Sequence, residues 1–333
     1  MSTQSAVAFD PYTRFRRSLL TPDEIRELSR LTPARPVRDV LLLWAQIFAA
    51  WAAVAVWTEW WVVLLTIPVI GTRHYAMHVI GHDGIHRRLF NDPRVNDLFN
   101  DALIFGPEGA VTHLNGQNHL LHHRYLSNEA DPDRFKYTSS NKTTRLELVA
   151  YLCGLTSLVP LWRNVFRRDW TGHTQKVSER RQSRGREGYT LRDLAIIGGS
   201  QAALIVGLTL AIGWWAYPLL WLVPVYAFTY CGDQTRFFLE HAYPEPDEAT
   251  EDRRLITYTS NPVERMFFAP KNMNFHAVHH LWPSIPYYNL PRADAMVRGR
   301  DGARGLVWRP SYVGALRHYF RALPLPGCRT AAD

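Results

Sequence analysis

LAIIGGSQAALIVGLTLAIGWWAYPLLWLVPVYAFTYCG, residues 194–232, contains no charged residue. As a helix this run would be about 58 Å long, close to twice the ~30 Å hydrocarbon thickness of a bilayer. Gly213-Trp214-Trp215-Ala216-Tyr217-Pro218 breaks it near the middle. That mixture of turn formers and aromatics suits a chain reversing at a membrane surface. The stretch reads as a membrane hairpin, and it excludes a soluble binding module.

A similar hairpin lies nearer the N-terminus. Val40 to Thr58 is uncharged, and the apolar run resumes from Trp60 to Thr72 after Glu59. Trp57, Trp60 and Trp61 give the turn between them an interfacial character. Only Arg73 interrupts the second run before His82. It lies about 20 Å along that helix and can snorkel toward an interface. The expected fold is an all-α membrane protein: four transmembrane helices, as two hairpins, under a cytoplasmic helical domain with a di-metal site. The spans are expected at about 40–58, 60–80, 194–212 and 219–238.

Residues 1–39 read as a cytoplasmic N-terminal segment, 40–291 as the membrane-embedded domain and 292–333 as a cytoplasmic tail. Thr21-Pro22-Asp23-Glu24 has the pattern of a helix start. Leu148 to Trp162 is uncharged but too short to span comfortably, and reads as interfacial or re-entrant. Arg163, Arg167, Arg168, Lys176, Arg180, Arg181, Arg184, Arg186 and Arg192 form a basic run before the second hairpin. By the positive-inside rule this run, the termini and the large polar segments face the cytoplasm. The run also suits docking of anionic lipid or an acidic redox partner. The net charge of +8 and the uneven apolar distribution (47% of 333 residues) fit a membrane surface better than nucleic acid. Three cysteines, far apart, give neither a disulfide framework nor a cysteine metal site.

The chemistry lies in the histidines. His82-Asp83-Gly84-Ile85-His86 falls where the second helix would leave the bilayer. His119-Leu120-Leu121-His122-His123 and His276-Ala277-Val278-His279-His280 follow later. Composition alone predicts roughly 0.02 matches to one His-x-x-His-His pattern in such a chain, and there are two. With His241, just past the last expected span, they give nine candidate ligands: His82, His86, His119, His122, His123, His241, His276, His279 and His280. Nine imidazoles exceed one four-coordinate zinc and suit two metal ions, each with an open position. The sequence has no Glu-x-x-His and no His-Glu-x-x-His, which disfavours a ferritin-like carboxylate site and a zinc protease. His78, Asp83, Asp131, Asp133, Glu240 and Asn274 are candidates for groups that orient the ligand rings. His74 and His78 continue the first stripe deeper into the helix, where a hydrogen-bonding role competes with ligation. His113 lacks ligand spacing. A two-metal site beside a bilayer suggests oxygen activation on a lipid-like substrate.

These boxes resemble those of the integral-membrane fatty acid desaturase superfamily. Asp131-Pro132-Asp133, Glu240-His241 and the Pro-aromatic string Trp282 to Pro291 are similar too, so the resemblance runs from about residue 40 to 291. It implies four membrane helices under a cytoplasmic di-iron domain. It also implies two iron ions, O2 as co-substrate, a lipid acyl substrate and two electrons from outside. The family's acyl-CoA branch has an Asn four residues before the late histidine, where this chain has Phe237. The fused-cytochrome signature His-Pro-Gly-Gly is missing. A separate donor such as a ferredoxin or a cytochrome b5-type protein is therefore expected. A hydroxylase or carotenoid ketolase on the same fold is the chief alternative to a desaturase. A non-catalytic metal-binding or transport protein is a further one, though transporter ligands are expected near the bilayer midplane.

Overall fold

In the computed structural model of the protein, the described residues are 12–126, 130–138, 142–156, 188–242 and 255–324. Most of the basic run, Arg163 to Arg186, lies outside them, as does the second part of the Leu148–Trp162 segment.

Three helices are long and apolar enough to cross a membrane: α3 (Ala34–Val56), α4 (Trp60–Ile85) and α10 (Leu191–Ala211). α3 and α4 pack together as a hairpin. Val40, Ile47 and Val54 of α3 are buried with Ile70 and Ile80 of α4. At the turn between them Trp57, Trp60 and Trp61 are each at least half exposed, which suits a headgroup layer. α10 begins at Thr190, whose hydroxyl accepts from Asp193 N while Asp193 accepts from Thr190 N. Only 6% of its most apolar stretch is buried against the rest of the chain. A helix so apolar and so uncovered needs lipid around it.

After the Gly213 turn the chain is helical again from 216 to 241, but not uniformly. Pro218–Leu222 and Val225–Tyr230 are π-helical, and α11 (Cys231–His241) continues from them without a break. The two prolines in this stretch, Pro218 and Pro224, lack the N–H that an α-helical ladder requires. The Thr229 hydroxyl lies 2.7 Å from His74 Nδ1, so this deep histidine already has a hydrogen-bond partner.

α4 has 26 residues, about 39 Å of helix, which is longer than the ~30 Å hydrocarbon. The surplus carries the first histidine box upward. Around it stand α1 (Thr13–Leu19), α2 (Pro22–Leu28), α5 (Pro93–Asn100), α6 (Gly106–Glu108), α7 (Thr112–Tyr125), α8 (Arg134–Tyr137) and α9 (Arg145–Leu152). Later come α12 (Pro262–Phe268), α13 (His276–Leu281), α14 (Leu290–Arg298) and α15 (Tyr312–Ala322). At the start of α2, Thr21 and Glu24 form a capping box with Pro22 in the first turn, as the sequence pattern predicts. A second core joins these elements, built on Tyr75, Val79, Leu239, Tyr258, Met273, Val278, Leu281 and Tyr312. The all-α expectation needs one addition. β1 (Ile256–Tyr258) and β2 (Val307–Arg309) pair in parallel, with Ile256 opposite Val307 and Tyr258 opposite Arg309. This small sheet leads into the turn before α13, where Tyr258 N donates to Asn274 O at 3.0 Å.

Candidate metal centre

The first box sits on the last turns of α4, and Gly81 just before it and Gly84 within it allow a close approach. A Cβ on Gly84 would fall 2.3 Å from the Asn100 amide nitrogen. That amide donates to Gly81 O and Thr112 Oγ1, both at 3.0 Å, while Asn96 Nδ2 donates to Gly84 O at 2.8 Å. Two buried asparagines of α5 thus fix the end of α4 and tie it to the start of α7. α7 carries the second box. The third lies on α13, reached through Lys271 and Asn272, both left-handed at φ 52° and 66°. Their side chains hold that turn: Lys271 Nζ donates to Asp39 Oδ2 at 2.9 Å and Asn272 Nδ2 to Tyr287 O at 3.2 Å.

The three boxes converge. Donor nitrogens of His82, His86, His119, His123 and His279 all lie within 4.8 Å of one another. His122, His241 and His280 make a second group within the same limit. His276 adjoins that group, with its Nε2 2.9 Å from His241 Nε2. The nine residues singled out from the sequence are therefore in one place, divided into two adjacent groups. His123 and His280, one from each group, stack at 4.1 Å.

The nitrogens face one another as donors around a shared ion would. The Nε2 atoms of His86 and His119 are 2.9 Å apart, those of His123 and His279 3.2 Å, and those of His122 and His241 3.2 Å. Two nitrogens held 2.0–2.1 Å from a metal are about 2.9 Å apart at a right angle and about 3.3 Å apart at the tetrahedral angle. His82 Nδ1 and His280 Nε2 are buried without any hydrogen-bond partner, and buried polar atoms are rarely left so. Burial, with the neighbouring imidazoles, pushes His119, His123, His276, His279 and His280 well below the usual histidine range. Burial also takes His86 down to about 3. The rings are thus neutral near pH 7, the form that binds metal. Packing, spacing and protonation all fit two metal ions held by imidazole nitrogen.

Two acids hold rings from behind. Asp131 Oδ2 accepts from His122 Nδ1 at 2.9 Å and from the Tyr137 hydroxyl at 2.7 Å. Glu240 Oε2 lies 3.1 Å from His276 Nδ1 and accepts from Arg236 at 2.6 Å, while its other oxygen accepts from the Tyr312 hydroxyl at 2.6 Å. In both cases Nδ1 is engaged and Nε2 is left facing the group.

The other four candidates for orienting roles are placed differently. Asp83 accepts from Tyr287 N at 2.6 Å, Asp133 pairs with Lys136 at 2.8 Å, and Asn274 donates to Tyr258 O at 2.8 Å. His78 faces Glu108 at 2.8 and 3.0 Å and belongs to neither group. His113 lies 2.9 Å from Asp193, also outside the groups. Sequence reasoning did not single out Glu108, Tyr312 or Arg16, and took Tyr287 only as part of the Trp282–Pro291 string, without a role. Tyr287 reaches Asp83 through its N–H and Asp39 through its hydroxyl, so it ties α3, α4 and the segment after α13 together. Arg16 Nε donates to Leu281 O at 2.7 Å, seating α1 on the end of the third box. Phe237 lies against the second group, with ring centroids 4.8 Å from His122 and 4.9 Å from His241.

Residues 58–312 match the sequence profile of the family described as fatty acid desaturase. The chain is 25% identical over 295 residues to the dihydrorhizobitoxine desaturase of Bradyrhizobium elkanii, covering 80% of this chain and 77% of that one. It is 25% identical over 256 residues to an sn-1 oleoyl-lipid 12-desaturase of Arthrospira platensis, covering 72% and 69%. A shorter match, 30% over 96 residues and 27% of each chain, is to the ceramide hydroxylase of Caulobacter vibrioides.

Proposed function

The chain belongs to the fatty acid desaturase family, and from that premise we propose that it is an oxygen-dependent di-iron desaturase. It introduces a double bond into the acyl chain of a lipid. The observation that carries this reading is the meeting of nine histidines as two adjacent groups at the end of an apolar helix. His82, His86, His119, His123 and His279 would hold one iron, and His122, His241 and His280, with the adjoining His276, would hold the other. The irons, when bound, supply the activation of O2 and the removal of hydrogen from carbon. The chain's residues do the rest. Asp131 and Glu240 fix two rings so that Nε2 points inward. Phe237 and the packing around the second group, whose four histidines are all buried, keep bulk water from that group. Two hydrogens of a –CH2–CH2– unit, O2, two electrons and two protons give –CH=CH– and two waters. The electrons come from a separate donor of the ferredoxin or cytochrome b5 type, a reading supported by the charge of +8.

The helical stretch from 219 to 238 serves as the fourth span, and the termini and metal groups face the cytoplasm. Supporting this are the apolar, charge-free sequence up to Gly232 and the Arg-rich flank of α10. A second reading, hydroxylation, is favoured by one observation, the 96-residue match to a ceramide hydroxylase.

The test is mass spectrometry of total lipids from cells making the wild type or His280→Ala. A wild-type-only lipid lacking two hydrogens supports the desaturase and locates the bond. A product heavier by one oxygen replaces it with the hydroxylase. Metal analysis of the purified chain accompanies it: about two irons are expected, and one exchangeable zinc without iron would sink the enzyme reading.

A further inference from the structure

Outside the metal groups, the membrane hairpin carries a second unexplained feature. Between α3 and α4 runs a groove of about 380 Å³, lined by Gln46 and Ala49 of α3 and by Trp61, Leu65, Val69 and Arg73 of α4. The α4 residues recur every four positions and so form one stripe along the helix. Alanines on α3 leave the space open. The lining is mostly apolar; the Thr66 hydroxyl in it is spent on Val63 O at 2.8 Å, which leaves two polar groups to account for. Gln46 is exposed on the membrane-facing side of α3, with no side-chain hydrogen bond among the described residues. Arg73 is half-buried, its Nε is shut off from solvent without a partner, and its Nη2 reaches only the Met266 sulfur at 3.5 Å. Thioether sulfur is a weak acceptor. Among the described residues no carboxylate pairs with this guanidinium.

An ionised arginine in a membrane helix requires a counter-charge or a polar surface. Its height points to the source. Arg73 lies about 20 Å above the Trp60 turn, beside Met266 of α12. α12 is anchored to α4 just above, where the Tyr75 hydroxyl donates to Phe268 O at 2.7 Å. Val263 of α12 is 63% exposed, as befits a short helix lying in the interface. Arg73 thus lies inside the hydrocarbon and its side chain must snorkel to reach the far headgroup layer; from it the groove runs about 18 Å toward Trp61, a length suited to an extended acyl chain.

We propose that this groove is a binding site for one anionic phospholipid, with its phosphate on Arg73 and one acyl chain along Ala49, Val69, Leu65 and Trp61. Guanidinium matches phosphate in charge and in bidentate geometry. Gln46 offers an amide to the ester region. The site lies on the outer face of the hairpin and is independent of the acyl chemistry assigned above.

The test is native mass spectrometry of the full chain in neutral detergent after incubation with phosphatidylglycerol or phosphatidylcholine. The wild type should retain one phosphatidylglycerol, at least tenfold more than phosphatidylcholine. Arg73→Gln should lose that preference at least tenfold, and Arg73→Lys should keep part of it. Ala49→Trp, which fills the groove from the lipid side and leaves Arg73 in place, should lose the lipid as well. Thermal melting of each variant checks that it is folded. Equal retention of both lipids by the wild type, or unchanged retention in Arg73→Gln, overturns the proposal. So does retention of free fatty acid instead, or a dimer peak that Arg73→Gln removes.

Discussion

Asp131 and His122 meet at 2.9 Å with both side chains completely buried. The carboxylate fixes which ring nitrogen carries the proton and therefore which one faces His241. Asp131→Ala is expected to lower metal affinity about 10- to 100-fold, with His122 still present. Asp131→Asn, which keeps an acceptor but loses the charge, should fall between that and the wild type. Metal content against free metal concentration, measured on folded protein, reads the difference.

Glu240 plays a comparable part for His276 but is embedded in more partners, with Arg236 and Tyr312 both on its oxygens. Removing one member of a buried ion pair costs about 3–5 kcal/mol. Glu240→Ala should therefore lower the melting temperature sharply as well as the metal content. Tyr312→Phe removes one hydrogen bond and should cost only about 1–2 kcal/mol. Equal losses for the two variants would show that the ion pair carries little of the stability.

His78 pairs with Glu108 and stands outside both histidine groups. His78→Ala is expected to retain its metal while losing stability, because Glu108 is left mostly buried without its partner. Glu108→Gln should be milder than His78→Ala in a melting experiment. Complete loss of metal from His78→Ala would instead place His78 among the ligands.

Gly84→Ala puts a methyl group into the Asn100 amide. Overpacking of this kind costs about 1–3 kcal/mol, and here it also displaces the end of α4 that carries His82 and His86. Gly207→Ala on α10, where an added Cβ meets nothing within 4 Å, should leave stability unchanged or raise it by up to about 1 kcal/mol. A comparison of melting temperature and metal content in the two variants separates packing at the box from glycine in a helix generally.

The sequence foretells some of these relationships and not others, for physical reasons. Uncharged runs of bilayer length, broken in α4 only by Arg73, mark α3, α4 and α10, because a bilayer permits little else. The boxes are visible because ligands on one helix must recur at three- or four-residue spacing. Which imidazole faces which is not visible: His86 meets His119 and His279 meets His123 only through tertiary packing. Likewise Asp83, adjacent to a box histidine, turns to Tyr287 N, a partner 204 positions away. Asp133 is taken by Lys136 three residues on, while its neighbour Asp131 reaches the ring. Nothing in Asp-x-Asp distinguishes the two. β1 and β2 have three residues each, too few for an alternating pattern to show. The π turns at Pro218 and Val225 also escape a reading based on hydrophobicity, since a wider turn changes the ladder without changing the composition.

His122 and His123 are neighbours in sequence, yet they belong to different groups, and so do His279 and His280. Each of α7 and α13 thus straddles the divide with a single peptide unit. The separation of the two groups is set by the covalent chain and the 100° step of a helix, on two sides at once. Neither α7 nor α13 can tilt without carrying ligands of both groups. On these two helices the spacing between the sites is therefore a covalent length, fixed before any side chain beyond them packs.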